Sequence, residues 1–523
     1  MKNAKKILLN TLLLTAVSFL MQTVNVSFNV WLTNRIGAAG IGLFQLIMTV
    51  YGLSVTLGCG GIRLASTRLT VEADAKGENP GHIMRRCILY GLCAGCLISV
   101  IVLLGTDVIA AKWLSDSRSA VPLRVLALSL PFIAMSTAMN GYFTALRKMV
   151  KYSSVRMAEQ GVKIVCVALM LARLLPKGVE YGVIAIVSGI LISEAFSFLC
   201  LFFLYVTGER SFAGRPKTRF TLKSITRIAL PDVSGAGARS VLLMIEHLLI
   251  PVGFKKSGSS QEQALSIYGN IHGMVFPMLL YPSAILTSLS GMLVPEIAEC
   301  KARGMENRIT YIIMRVMKIT LIFSIGAAGI MYAFAGGLSQ LVYKNSDSAF
   351  YIQLLAPLIP VMYCDMTVDG MLKGLDQQLY SMKYNIIDSA MCVALVYILL
   401  PKYSVKGYII VLFVSEIVNF FLSVRRLTIV STVQIDLPRD VFVPLACIFC
   451  SAAGVSVLAD VTGVSAAYSV FSITVCILLS LASYFAMMYW FSCVTKEDIN
   501  WFKSVFRRQE AGIRRHKSER NAV

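Results

Sequence analysis

Residues 126–146 read LALSLPFIAMSTAMNGYFTAL, and residues 355–375 read LAPLIPVMYCDMTVDGMLKGL. Aligned end to end, they share Leu126-Ala127 with Leu355-Ala356, Pro131 with Pro360, Asn140-Gly141 with Asp369-Gly370, and Ala145-Leu146 with Gly374-Leu375. The correspondence continues outward. Leu175-Pro176-Lys177 recurs as Leu400-Pro401-Lys402, and Ser193-Glu194 with Phe198 recurs as Ser415-Glu416 with Phe420. Glu72, Ala75, Lys76 and Gly77 are matched by Glu299, Ala302, Arg303 and Gly304, and the offset stays between 222 and 229 residues. Coincident apolar letters are common in a hydrophobic chain, but Pro, Gly and Glu in one order at one offset are not. The chain therefore reads as a tandem duplication.

What is duplicated is membrane-spanning. The 523 residues are 56% hydrophobic and 15% charged, with mean hydropathy +0.71, whereas a soluble domain carries about 25% charge. A hydrocarbon core of about 30 Å takes ~20 apolar residues per helix. Such runs centre on residues 7–32, 43–62, 87–105, 121–146, 158–175, 181–207, 226–250, 268–294, 312–335, 351–373, 384–400, 407–430, 441–459 and 467–493, fourteen spans in all. Taken alternately, the connectors of one side hold 36 Lys+Arg and those of the other hold 10, with Lys163, Arg173 and Arg239 inside spans. The positive-inside rule then puts both termini in the cytoplasm, so the net charge of +21 sets orientation instead of recruiting nucleic acid. The first span has no small-x-small cleavage site after a short apolar core, and is expected to stay as a helix. The thirteen Cys sit in apolar runs without flanking His; they read as packing or lipid-facing residues, not zinc ligands.

The duplication sets the expected organisation: an all-α polytopic membrane protein with one six-helix lobe over 1–225, a second over 226–432, an appended helix pair over 433–495 and a basic cytoplasmic tail over 496–523. Six is even, so both lobes enter the membrane in the same sense, and a pseudo-two-fold axis runs along the membrane normal. Parallel repeats facing each other across a central cavity are an architecture of alternating-access transporters. No connector is long enough for a soluble domain, and the tail either lies on anionic headgroups or is solvated.

The stretch from Ile228 to Gly304 carries Ala229-Leu230-Pro231, Leu249-Ile250-Pro251, Ser260-Gln261-Glu262, Ala264-Leu265, Tyr268-Gly269, Gly273-Met274, Pro277, Pro282-Ser283-Ala284, Leu293-Val294-Pro295 and Ile297-Ala298-Glu299. Gly37, Gly40-Ile41-Gly42-Leu43, Gly141-Tyr142-Phe143, Glu159-Gln160 before Lys163, and Glu180-Tyr181 add to it. On these residues the chain resembles the stage V sporulation protein B group of the multidrug/oligosaccharidyl-lipid/polysaccharide exporter superfamily, relatives of the lipid II flippase, as far as about residue 430. The resemblance implies the same fourteen helices and the flipping of an undecaprenyl-diphosphate-linked saccharide, either peptidoglycan precursor or polysaccharide repeat unit, across the bacterial cytoplasmic membrane. It also implies a groove for the polyprenyl tail at the last two helices, and wall or polysaccharide synthesis enzymes as partners beside the substrate and the bilayer. Members commonly carry arginines in helix one, where this chain has Gln22, Asn25 and Asn29, and a Gly-Leu-Pro where it has Gly61-Ile62-Arg63. Cationic charge is redistributed here.

Candidate site residues follow from placing polar groups in apolar spans. Thr11, Thr15, Ser18, Gln22, Asn25 and Asn29 draw one stripe down the first span, which lines a wet cavity or packs on another helix; its amides suit sugar hydroxyls. Asp232, Arg239 and Glu246 are seven apart and share a face of span seven. Arg239 either binds the diphosphate bidentately or belongs to an internally neutralised ion network. His247 reads as packing or as a proton carrier. Arg63 and Arg68, after Gly58, Gly60 and Gly61, either meet a headgroup or anchor the span. Lys163 contacts phosphate or neutralises Glu159 one turn away. Asn385 and Asp388 in span eleven, with Glu416 and Asn419 in span twelve, form a coupling site for Na+ or H+ or a structural hydrogen-bond set. Bending is expected at Pro231, Gly235, Gly237, Gly273, Pro277 and Pro282.

No nucleophile-base pair and no phosphate-binding Gly-rich loop are present, so the expectation is a transporter and not an enzyme or ATP-driven pump, with no cofactor beyond a coupling ion. The rivals are a cation-coupled multidrug exporter, which needs acids that span one lacks, and a non-transporting membrane scaffold for wall or spore cortex synthesis.

Overall fold

The computed structural model describes residues 2–209, 215–216, 220–431, 436–461 and 470–495. The expected tail over 496–523 lies outside them. Within them the chain is helical with no strand. The helices are α1 (Lys2–Cys59), α2 (Ile62–Ala75), α3 (Pro80–Val108), α4 (Ala120–Ala127), α5 (Leu130–Ala145), α6 (Met149–Leu174), α7 (Val179–Glu209), α8 (Leu222–Lys256) and α9 (Gln261–Tyr268). There follow α10 (Phe276–Leu280), α11 (Ala284–Ala302), α12 (Glu306–Ala333), α13 (Ala335–Tyr343), α14 (Asp347–Leu355), α15 (Ile359–Gly374), α16 (Gln378–Val430), α17 (Val443–Val461) and α18 (Val470–Trp490).

Among the described residues nine helices are long and apolar enough to cross a membrane, or eleven if each of two bent pairs is one span. Two features make that number smaller than the expected runs. Helix α1 is two helices that meet at a kink at Gly37 (φ 73°, ψ 175°), and α16 is two that meet at Ser404 (φ 50°, ψ −129°); each pair counts once among the nine, and each kink falls in the connector expected between two spans. Helix α6, over expected span five, carries Arg156, Glu159, Lys163 and Arg173 and is not among the nine.

The two stretches quoted at the outset fold alike. In the first, α4 and α5 meet at 44° around Leu128 and Ser129, just before Pro131; in the second, a short 3₁₀ turn over Ala356–Leu358 separates α14 from α15 just before Pro360. A proline cannot donate to the preceding turn, so each break falls at the same register. Both stretches also end alike. Arg147 (φ 56°) and Asp376 (φ 59°) are left-handed, and the next amides, Lys148 N and Gln377 N, both donate 2.8 Å bonds back to Phe143 and Leu372 carbonyls, closing the helix ends. Gly141 packs its bare face on Ser66 of α2, and Gly370 does the same on Ser290 of α11.

The described residues pack as two compact units. One comprises Arg35–Gly269 and Val393–Ser404; the other comprises Met1–Asn34, Asn270–Cys392 and Val405–Val523. The first unit's core gathers Ile62, Leu69, Met84, Met139, Tyr142 and Leu201. The other is built around Leu293, Ile297, Ile313, Val316, Met371 and Leu427. In that second unit α17 and α18 pack on α12: Gly326 and Gly329 admit Tyr484 and Ile448, and Tyr484 OH donates to the Ile322 carbonyl at 2.9 Å. Helix starts are encoded locally. Asn79 accepts from Gly81 N at 2.9 Å with Pro80 at the first helical position, and Ser260 and Gln263 cap each other reciprocally ahead of α9, which explains the Ser-Gln-Glu-Gln of that stretch.

Candidate functional site

In the first unit, α8 carries the seven-residue stripe. Asp232 and Arg239 are exposed, and neither side chain makes an ion pair or hydrogen bond among the described residues. Glu246 is half-buried further along. Next to Arg239, Ser240 donates to Thr56 Oγ1 of α1 at 3.1 Å, so this face of α8 lies against expected span two. Gly61 (φ 67°) sits against the Ala229 backbone of α8, where any Cβ would meet Cα at 2.5 Å and C at 2.8 Å. Only glycine fits there. That close approach accounts for Gly61, and it sets Arg63 at the start of α2, where it is exposed. Arg68, one turn on, is taken up by Glu72 at 3.0 Å on the surface. His247 Nδ1 meets Tyr268 OH at 3.0 Å.

The same unit holds a charge cluster in α6 and α7. Arg156 Nη1 lies 2.6 Å from Glu159 Oε2 and 4.0 Å from Glu194 Oε1. Both carboxylates are nearly buried, at 9% and 12% exposure, and Glu194 Oε2 has no hydrogen-bond partner among the described residues. Lys163, half-buried one turn beyond Glu159, joins the field of this group. Sequence reasoning singled out Glu159 and Lys163 but not Arg156 or Glu194; the recurrence of Ser193-Glu194 as Ser415-Glu416 was the available signal.

In the second unit the amides of expected span one diverge. Gln22 and Asn25 are exposed, while Asn29 Nδ2 donates to the Gly273 carbonyl at 3.2 Å. The side chains of Thr11, Thr15 and Ser18 lie outside the described residues. Gly273 belongs to a π-helical turn over Gly269–Val275, and Tyr343 OH bonds the next carbonyl, Met274, at 2.7 Å. A widened turn bares carbonyls that side chains must satisfy. Of the acidic-amide set, Asp388 Oδ1 accepts from Ser415 Oγ at 2.6 Å, Asn419 Nδ2 donates to Asp365 Oδ2 at 2.9 Å, and Asn385 Nδ2 donates to the Ser381 carbonyl at 2.8 Å. Glu416 is half-buried beside Ser415. Asn419 Oδ1 is buried without a hydrogen-bond partner among the described residues. Asp365, unflagged in the sequence, is thus part of this group. No three His, Cys, Asp or Glu among the described residues stand close enough to hold a metal, and none of the thirteen Cys forms a disulfide among them.

At the loop after α3, outside the spans, Asp116 holds Arg118 through two bonds, 3.0 Å to Nε and 2.7 Å to Nη2, and accepts from its backbone N–H at 3.0 Å. Burial pushes the Asp116 carboxyl up, but the hydrogen bonds and charge of Arg118 outweigh it and hold the group below its ordinary value.

Comparison with known proteins places this geometry. The family model described as "Polysaccharide biosynthesis protein" matches residues 7–231. Stage V sporulation protein B of Bacillus subtilis (strain 168) is 26% identical over 408 residues, 75% of this chain and 77% of that one. Across three quarters of its length the chain is thus similar to stage V sporulation protein B. Among solved structures, the lipid II flippase MurJ in an inward closed conformation superposes with a TM-score of 0.66 at 14% identity, over 91% of this chain and 98% of that one. A multidrug resistance MATE family transporter of the MOP superfamily, inward-facing, gives 0.59 at 17% identity over 78% and 95%. The chain thus shares the polytopic helical fold of these two solved structures, one named as a flippase and the other as a transporter.

Proposed function

We propose that the chain is a flippase that moves an undecaprenyl-diphosphate-linked saccharide, a peptidoglycan precursor or a polysaccharide repeat unit, across the bacterial cytoplasmic membrane by alternating access. In this reading fourteen spans form two six-helix repeats about an axis along the membrane normal, with the last pair appended and both termini cytoplasmic. The observation that carries it is Arg239: exposed and unpaired among the described residues, partway along a membrane-spanning helix. A bare charge at the bilayer centre costs at least ~2.5–3.5 kcal/mol, so the guanidinium must face water or an anion, and a diphosphate is an anion whose paired oxygens match its fork. Arg63 supplies a second exposed cation, and the exposed amides Gln22 and Asn25 suit sugar hydroxyls without selecting a charge. Coupling to H+ or Na+ falls to Asp388 and Asp365 with Asn385, Ser415, Glu416 and Asn419.

The test is accessibility of lipid-linked peptidoglycan precursor to an external probe in cells depleted of other flippases. Outward exposure should return with this protein and vanish with Arg239→Ala at equal expression. Full exposure with both Arg239→Ala and Arg63→Ala removes the diphosphate role. No restoration by the expressed parent protein, followed by no exported polysaccharide, leaves the scaffold reading.

A further inference from the structure

The turn that ends α15 and begins α16 holds a second cationic arrangement that the transport reading does not use. Arg426, late in α16, lies over the Tyr380 ring with its guanidinium carbon 3.5 Å from the centroid. Its Nε and Nη2 both donate to Gln377 Oε1, at 3.0 and 2.5 Å. Lys383 stands 5.9 Å from the same ring. Neither Arg426 nor Lys383 pairs with a carboxylate among the described residues.

The surrounding charges leave this pocket positive. Asp369 is taken by Lys373 at 3.3 Å and by Ser381, Lys301 Nζ donates to the Leu375 carbonyl at 2.7 Å, Arg425 is exposed, and Asp376 is the remaining acid of the turn. A guanidinium braced on a ring and a neutral amide has lost rotational freedom without losing its charge, which prepares it for an oxyanion. The next residues say where that oxyanion sits. Leu379 is 76% exposed, and Met382 is 39% exposed, on a helix apolar enough to cross a membrane. Apolar side chains reaching outward beside unpaired cations, on the side where basic connectors gather, match the boundary between acyl chains and headgroups.

We propose that Arg426, Gln377, Tyr380 and Lys383 form a binding site for the phosphate of an anionic phospholipid in the leaflet on the basic side, a resident lipid and not the transported one. The probe is phosphatidylglycerol bearing a fluorescent headgroup-proximal label, titrated onto the full-length protein in phosphatidylcholine nanodiscs. Saturable binding should weaken about fivefold for Arg426→Gln and again for Lys383→Gln, since each cation near an anionic lipid surface contributes at that scale. Arg426→Lys keeps the charge without the fork and should fall between. Arg303→Gln, which removes an exposed cation already paired with Glu299 at 2.8 Å, should bind as the parent does. Matched melting temperatures establish that the variants are folded. Equal loss in Arg303→Gln, unchanged binding in Arg426→Gln, or retention of a lipid-linked diphosphate alone would each overturn the site.

Discussion

Gly42 offers a stringent test of the packing. It lies in the helical part of α1 after Gly37, and a Cβ built on it would strike the Leu265 carbonyl of α9, with the carbonyl carbon at 3.0 Å and Gly269 N at 3.2 Å. Its partner is backbone, which cannot swing aside. Gly52, ten residues on in the same helix, has nothing within 4 Å of its Cβ direction. Replacing either by Ala gains about 1 kcal/mol of helix propensity, a term that cancels in the comparison. What remains is the overpacking at Gly42, about 1–3 kcal/mol, or roughly a 5- to 150-fold change in the folding equilibrium. Thermal melting of the purified protein in one detergent, followed by tryptophan fluorescence, reads the difference. Gly52→Ala should melt at or above the parent and Gly42→Ala clearly below Gly52→Ala. A Gly42→Ala protein as stable as Gly52→Ala would refute the close crossing of α1 and α9.

Further outcomes are expected elsewhere. Arg156→Gln should cost about 1–3 kcal/mol because it strands the Glu159 and Glu194 carboxylates, and adding Glu194→Gln should recover most of the loss; strictly additive melting shifts would disprove the cluster. Asp116, held below its ordinary pKa, stabilises the fold fully above the unfolded value of about 3.9 and loses that contribution as pH falls through its lower folded value. Asp116→Asn should therefore destabilise at neutral pH and flatten the acid limb of a stability-pH profile below about pH 4, and an unchanged limb would show the pair to be inert. Tyr484→Phe removes the bond to the Ile322 carbonyl and should cost about 1 kcal/mol, with increased protease cleavage near α17 and α18; unaltered melting and cleavage would leave those helices held by apolar packing alone.

How legible this was in the sequence depended on the range of the interaction. The apolar runs were readable because they depend on residues within a few turns of one another, whereas the breaks at Ser129 and Leu358 fall inside runs read as unbroken spans, although Pro131 and Pro360 carried their signal. The division of α1 falls inside the expected connector at 33–42, at Gly37, where glycine takes the positive φ that other residues resist. Glu159 illustrates the limit within a helix: Arg156 and Lys163 lie one turn to either side, and only the fold aims Arg156 at both Glu159 and Glu194. Asp365 was passed over for a related reason. Its neighbours in sequence are apolar, and its partner Asn419 is brought to it by packing. The π-helical turn over Gly269–Val275 left no local signature, since its stabilising bonds come from Asn29 and Tyr343.

The interleaving of the two units has a consequence for synthesis. The segment Met1–Asn34 belongs with Asn270–Cys392 and Val405–Val523, while nearly all of the other unit is encoded between them, over Arg35–Gly269. At a ribosomal pace of about 5–20 residues per second, the first segment is in place some 10–50 s before its earliest partners are made. During that wait exposed groups such as Gln22 and Asn25 have only lipid, water or the insertion machinery for company. Helices in a bilayer insert individually and associate afterwards, so the newborn chain must hold its first helix in reserve. Biogenesis factors that shield polar helices are expected to matter most for this segment.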